Sequence, residues 1–252
     1  MLETAAAYEK KYHDSFALFV RFSKEAFAEL HRFDFDPHEL PPSVTVASRG
    51  DPSILSDIDK LKKIANSTTV TTEQRTMYYE TLKSIYQKLP RRPERIAELS
   101  DTFCVGIERE GRILANAMNC LPVGRSLAPH AKRIPYRGGL VVGLMNAMPP
   151  PRQYARCLIV DGAIASGATI MAIISQFKQT APLFEIFSVH GPYEGLRGIV
   201  RFGEALGVNV AITVGHATVG MNKHFYAVDS DRSSVIIGDI GDTISPLEIH
   251  GV

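Results

Sequence analysis

Residues 156 to 174 read RCLIVDGAIASGATIMAII. An apolar run, Cys157 to Val160, ends on the carboxylate of Asp161; small residues fill Gly162 to Thr169, and a helical pattern follows. In a parallel α/β sheet, ligands bind beyond the carboxyl ends of the strands. A helix that opens there offers backbone N–H groups without intrahelical partners and the positive end of its dipole, and small residues let an anion approach that backbone. The pattern suits a phosphate cradle with a carboxylate beside it. The dinucleotide fingerprint G-x-G-x-x-G is absent. The Walker spacing G-x-x-x-x-G-K-[ST] is met by GAIASGAT, except that Ala168 stands where the lysine is needed, which argues against a nucleoside triphosphatase. A third pattern, an acid followed by [AT]-[ST]-G-[GA]-[ST], is met in full by Asp161 and Ala165–Thr169. A turn chosen only for close helix–strand packing is the alternative that this loop alone leaves open.

A second group of acids lies in IIGDIGDTI, where Asp239 and Asp242 each follow a glycine. Two carboxylates three apart among small residues can hold Mg²⁺ or a sugar hydroxyl, or simply form a solvated turn. His190, His216 and His224 lie near the ends of strand candidates without metal-ligand spacing, and read as surface or satisfied core histidines. Cys104, Cys120 and Cys157 form no CxxC pair, and buried, reduced thiols are expected.

The elements that would position these residues follow from periodicity. Phe16, Phe19, Val20, Phe27, Leu30 and Phe33 share one helical face, so residues 8 to 33 read as a single amphipathic helix. DFDPHELPPS then breaks the pattern as a linker. VTVAS is a short strand, and SILSDIDKLKKIA and TTEQRTMYYETLKSIYQKL are helices, the second with Thr72 as its N-cap. From residue 101 the rhythm changes. TFCVGI (102–107), GLVVGL (139–144), RCLIV (156–160), FEIFSVH (184–190), VNVAITV (208–214) and SVIIG (234–238) read as strands, with helices GRILANAM, ATIMAIISQFKQ and YEGLRGIVRFGEAL between several of them. The strands are continuously apolar, as strands covered on both faces should be. The expected fold is α/β: a mostly parallel twisted sheet flanked by helices. Residues 1–40 form an N-terminal helical extension and residues 41–252 the main domain.

Taken in order, these stretches resemble the type I phosphoribosyltransferases, and among them uracil phosphoribosyltransferase. Asp161 with ASGAT resembles the loop that binds phosphoribosyl pyrophosphate (PRPP). GMNKHFYAV (220–228) followed by GDIGD resembles the family's C-terminal signature, GIEREG (106–111) its pyrophosphate loop, and HGPYEGLRGI (190–199) its A-x-x-E-G-[IL] segment. The resemblance spans about residues 44 to 246. It implies that Asp161 binds the ribose hydroxyls and that Ala165, Ser166, Gly167, Ala168 and Thr169 cradle the 5′-phosphate. Arg109 would hold the departing pyrophosphate, and Asp239 would organise Mg²⁺. Ala227, Gly238 and Ile240 would offer backbone groups to the base, and the protein would be a homodimer. The implied reaction transfers ribose 5-phosphate from PRPP to uracil or a related nitrogen heterocycle. Transfer to a carbon or an exocyclic nitrogen, and a PRPP-sensing regulator without turnover, are the alternatives. Several positions depart from the family. Gly162 and GAT replace a proline and GGS; Glu108 and Glu110 flank Arg109 where the family has apolar or small residues; the 229–237 segment is longer. The family's arm arginine has no counterpart in MNAMPPPRQYARC, for which Arg137 and Arg152 are candidates.

Composition is ordinary for a soluble globular protein: 252 residues, 45% hydrophobic, 22% charged, with a net charge of +1 that gives no strong field to recruit nucleic acid or an anionic membrane. No window approaches the ~18 apolar residues of a membrane span, and the first residues lack a basic start followed by a long apolar core, so a cytoplasmic location is expected.

Overall fold

A computed structural model describes residues 4–14, 16, 18–30, 39–67, 69–218, 220, 228 and 235–237. The chain begins with α1 (Ala5–Tyr12), β1 (Leu18–Ser23) and α2 (Lys24–Leu30). β2 (Val44–Val46) leads through a 3₁₀ turn, Ala47–Arg49, to α3 (Ser53–Ala65), α4 (Thr72–Gln87) and α5 (Pro93–Ala97). Then come β3 (Thr102–Gly106), α6 (Glu110–Ala117), β4 (Ser126–Leu127), β5 (His130–Tyr136) and β6 (Gly139–Met145). β7 (Arg156–Ala163), α7 (Ala168–Phe177), β8 (Leu183–Pro192), α8 (Tyr193–Ala205) and β9 (Asn209–Thr218) complete the described elements. Among the described residues, no helix is long and apolar enough to cross a membrane.

The main sheet has six strands in the order β2-β9-β8-β7-β3-β4, and every pairing in it is parallel. Its central strands are buried on both faces, which is why their sequences run apolar without alternation. Along β7, Cys157 and Ile159 pack into the core formed with α7 and α8, while Leu158 and Val160 pack into the core formed with α3, α4 and α6. The fold is the expected α/β sheet flanked by helices.

The structure corrects three expectations. GLVVGL is not a strand of the main sheet: as β6 it is the centre of a separate antiparallel sheet, β1-β6-β5. Its continuous apolarity reports cover on both faces, and α7, α1 and α2 all touch it; it does not report parallel pairing. Residues 8 to 33 are not one helix, because residues 18–23 form β1 and pair with β6 from Leu18–Leu144 to Ser23–Gly139. The phenylalanines there fit two periods. Leu18, Val20 and Phe22 also alternate with Phe19, Arg21 and Ser23, and Phe22 is buried in the core as a strand residue. The cap of α4 is Thr71, one residue earlier than expected, with Gln74 closing a capping box. Of SVIIG, residues 235–237 are described: Val235 bridges Val228, and Ile236 and Ile237 are buried.

Candidate active site

Asp161 lies in β7 opposite Ser188 of β8, two residues before the strand ends at Ala163. It is 7% exposed. Its Oδ1 accepts the Gly162 N–H at 2.9 Å, and its Oδ2 makes no hydrogen bond among the described residues. Burial first, and the Glu110 charge second, hold this carboxyl well above the usual carboxylate range, with Arg133 and the Gly162 hydrogen bond opposing them. From beneath, the fully buried Tyr86 of α4 shares its hydroxyl proton between the Asp161 carbonyl, at 2.5 Å, and the Phe187 carbonyl, at 3.1 Å. Burial pushes that hydroxyl well above its ordinary range, so it stays a donor. Tyr86→Phe removes the donor from two buried strand carbonyls. The expected result is a loss of about 1–3 kcal/mol of stability in urea unfolding, and no change would show that the strut carries nothing.

The loop after β7 is held from several sides. Ile164 N–H donates to the His190 carbonyl at 2.9 Å. Gly167 adopts φ +78° at the N-cap of α7, a conformation that favours glycine. The first intrahelical bond runs from Met171 N–H to the Gly167 carbonyl, so the N–H groups before it open toward the loop. Ser166, Ala168 and Thr169 are buried. The small residues also serve packing: a Cβ at Gly167 would meet Ile199 at 2.6 Å, and one at Gly195 of α8 would meet the Ala165 carbonyl at 1.9 Å. Close packing and anion access are therefore met by the same residues.

β3 delivers the second loop. Ile107 N–H donates to the Val160 carbonyl at 3.1 Å, and Glu108 N–H to the Pro129 carbonyl at 3.0 Å; Arg109 then caps α6. A cavity of about 180 Å³ opens between the two loops and β5, lined by Glu108, Arg109, Glu110, His130, Arg133, Asp161 and Thr169 among others. Three residues singled out from the sequence, Asp161, Arg109 and Thr169, meet there. Glu108 carries 3.5 and 3.8 Å ion contacts to Arg112 and His130, and the buried Phe16 stacks on the His130 ring at 6.4 Å.

His130 and Arg133 were missed because HAKRIPY reads as a polar, proline-bearing segment. It is an edge strand of the small sheet, where proline is tolerated. Neither arginine proposed for the arm lines the cavity. Arg137 sits in the β5–β6 turn, at the other end of β5 from His130. Arg152 lies over the Tyr154 ring at 4.5 Å and reaches the Ser100 carbonyl, before the start of β7. Asp239, Asp242, Ala227, Gly238 and Ile240 lie outside the described residues, as does His224.

His190 is fully buried and His216 half-buried; His190 Nδ1 has no hydrogen-bond partner among the described residues, so His190 departs from the expected satisfied core histidine. His216 Nδ1 lies 2.9 Å from Ser48 Oγ, and His190 Nε2 lies 3.1 Å from Thr218 Oγ1. Burial pushes His190 down to about 3. Among the described residues no group of three or more His, Cys, Asp or Glu is placed to hold a metal. All three cysteines are free and buried, and burial pushes Cys104 up to about 12. A larger cleft of about 760 Å³ between β1, α2 and α8 is mainly apolar; Arg21, Glu29 and Arg201 are its charged lining, and none of the site residues read from the sequence reaches it.

No family model matches the sequence, and no curated protein matches it. Among solved structures the chain is similar to the AQ2163 protein from Aquifex aeolicus, at 18% identity over 80% of this chain and 97% of that one, with a TM-score of 0.50. The likeness is one of fold. Lower in similarity are the adenine phosphoribosyl transferase from Trypanosoma brucei (18% identity, 73% of this chain and 87% of that one, TM-score 0.46) and the orotate phosphoribosyltransferase of Mycobacterium tuberculosis H37Rv (12%, 71% and 96%, TM-score 0.39).

Proposed function

We propose that this chain is a PRPP-dependent phosphoribosyltransferase of type I, transferring ribose 5-phosphate to a planar nitrogen heterocycle with release of pyrophosphate. The observation that carries this reading is the cavity that joins Asp161, Arg109 and Thr169 beside the Gly167-capped start of α7. Asp161 receives the ribose hydroxyls. Ala165, Ser166, Gly167, Ala168 and Thr169 receive the 5′-phosphate through backbone N–H groups and two hydroxyls. In this reading Arg109, after β3, and Arg133, on β5, both line the cavity and meet the pyrophosphate, which gives the departing charge two cations without a covalent intermediate. Mg²⁺ would enter with the substrate, since it is commonly carried by substrate phosphates with one or two carboxylates rather than by a protein cluster, and no such cluster is present among the described residues. Asp239 is the residue we assign to hold it, and its charge would stabilise the leaving pyrophosphate.

For the acceptor we propose uracil or a related heterocycle read by Ala227, Gly238 and Ile240. The longer 229–237 segment beside those positions favours a heterocycle other than uracil as the second reading. A cytoplasmic homodimer completes the proposal. The test is pyrophosphate release from PRPP and Mg²⁺ across a panel of acceptors beginning with uracil. Arg133→Ala is expected to lower kcat/KM for PRPP about 10- to 100-fold, the worth of one charged hydrogen bond, while Arg137→Ala and Arg152→Ala leave it unchanged. Binding of PRPP with no release for any acceptor would make the chain a sensor and sink the catalytic reading.

A further inference from the structure

α1, Phe16 and β1 precede the stretch that resembles the phosphoribosyltransferases, and they meet one wall of the candidate active site. That wall is β5, the edge of the small sheet, whose one strand partner among the described residues is β6. Side chains alternate between the two faces of a strand. Ala131 and Arg133 line the cavity, and Ala131 also packs on the core to which α7 contributes. Lys132 belongs to the other face, and the N-terminal residues cover it: its ammonium lies over the Tyr12 ring at 4.6 Å. At the start of β5, the Phe16 ring stacks on the His130 ring at 6.4 Å, with 20° between their planes. Tyr12 and Phe16 meet edge to face at 6.3 Å, so the two contacts form one unit. His130 also reaches the cavity, where its Nδ1 lies 3.8 Å from a Glu108 oxygen. Glu108 comes from the loop after β3, so this contact joins β5 to the segment that carries Arg109. β6 leaves room for the ring. Gly143 pairs with Phe19 on one side and Lys132 on the other, and a Cβ there would lie 3.0 Å from the Phe16 ring. Phe16 is consequently 6% exposed although it lies in neither a helix nor a strand.

We propose that Phe16 is a positioning residue: from outside the phosphoribosyltransferase-like stretch it holds His130 beside Glu108, and so sets where β5 presents Arg133 to the pyrophosphate. The use of Arg133 rests on the phosphoribosyl reading of the site; the hold on β5 does not. No strand pairing ties β5 to the main sheet, so packing on its two faces fixes its place. An apolar side chain of any shape would fill the space over Gly143, whereas a ring against the imidazole also fixes its orientation. A small displacement of a group that positions substrate has a large effect on binding and rate.

Calorimetric titration of Mg²⁺–pyrophosphate and of PRPP, with amide hydrogen exchange over His130–Arg133, tests it in the full chain without knowledge of the acceptor. Phe22→Ala is the packing control: Phe22 is as buried, at 4%, but lies toward the other end of β1, against Phe202 of α8 at 5.8 Å. Phe16→Ala is expected to bind both ligands about tenfold more weakly and to exchange faster over His130–Arg133. Phe16→Tyr, which keeps the ring, should recover both. Phe22→Ala should melt lower while keeping the wild-type affinity and the wild-type exchange at these amides. Should Phe16→Ala fail to fold, Phe16→Leu, which keeps apolar bulk without the ring, takes its place with the same expected changes. Wild-type affinity in a folded Phe16→Ala or Phe16→Leu overturns the proposal and leaves the phosphoribosyl reading intact. Equal losses in the Phe16 and Phe22 variants also overturn it, because they would mark a general loosening of the small sheet. A wild type that binds neither ligand overturns the phosphoribosyl reading, and unchanged exchange in the Phe16 variants then overturns the hold on β5 as well.

Discussion

Asp161→Asn is expected to lower PRPP turnover by about 10²- to 10³-fold and at the same time to stabilise the folded protein. The two effects share one cause. Asp161 is buried, and burial with the Glu110 charge holds its carboxyl well above the usual carboxylate range. A folded-state value raised above the unfolded value of about 3.9 means that the ionised form is disfavoured by folding. The contribution to stability is fully present below about pH 3.9 and is lost as pH rises through the raised folded value. Asparagine keeps the shape and the Oδ1 that accepts the Gly162 N–H, and carries no charge to desolvate. The melting temperature of Asp161→Asn should therefore match the wild type near pH 4 and exceed it increasingly toward neutrality, by roughly 2–4 °C for each kcal/mol. In the proposed reaction the carboxylate meets sugar hydroxyls as a charged acceptor, so the variant should release little pyrophosphate while melting higher. A melt at pH 7 no higher than the wild type's would remove the electrostatic account. Full turnover in the variant would remove Asp161 from the site.

The local parts of the fold and site were legible because their signals are local. Helices α3, α4, α6, α7 and α8 and strands β3, β7, β8 and β9 follow runs whose periodicity or continuous apolarity has one reading. Asp161, Arg109 and Thr169 belong to short stretches that a strand end, a glycine and a helix start fix within a few residues. What was not legible depends on partners far along the chain. β1 satisfied the helical spacing of its phenylalanines, and only pairing with β6, more than a hundred residues on, selects the strand. Arg133 and His130 enter the cavity because the β5–β6 hairpin packs against α7, a placement that no motif in HAKRIPY announces. Tyr86 reads as one more core position of α4, yet its hydroxyl reaches across to the carbonyl of Asp161. The departures from family pattern at Glu108 and Glu110 were visible in sequence, but that Glu110 shares a cavity with Asp161 follows only from the close approach of Gly111 to the Val160 carbonyl.

Gly195→Ala separates helix propensity from packing, because the two give opposite signs. Gly195 lies inside α8 (Tyr193–Ala205), where alanine is intrinsically better by about 1 kcal/mol. The structure opposes this. The new Cβ would lie 1.9 Å from the Ala165 carbonyl and 3.3 Å from Ile164 Cγ2. The first of these contacts is to backbone, so no side-chain rotation relieves it. α8 is held by Leu196 and Ile199, both wholly buried, so the loop is the part that yields. Overpacking of this kind costs about 1–3 kcal/mol, which outweighs the propensity gain. A shift of about 1 Å in a group that positions substrate costs about a hundredfold in rate. The expected result is a protein less stable in urea, with KM for PRPP raised and turnover reduced by about two orders of magnitude. Gly203→Ala, toward the other end of the same helix, is the control. Its Cβ would meet Val210 Cγ2 at 2.3 Å, so it should lose stability through the core without moving the loop or raising KM. Equal KM values in Gly195→Ala and the wild type would mean that the loop after β7 accommodates the added Cβ without moving its proposed phosphate-binding groups, and that the close approach at Gly195 does not set PRPP binding.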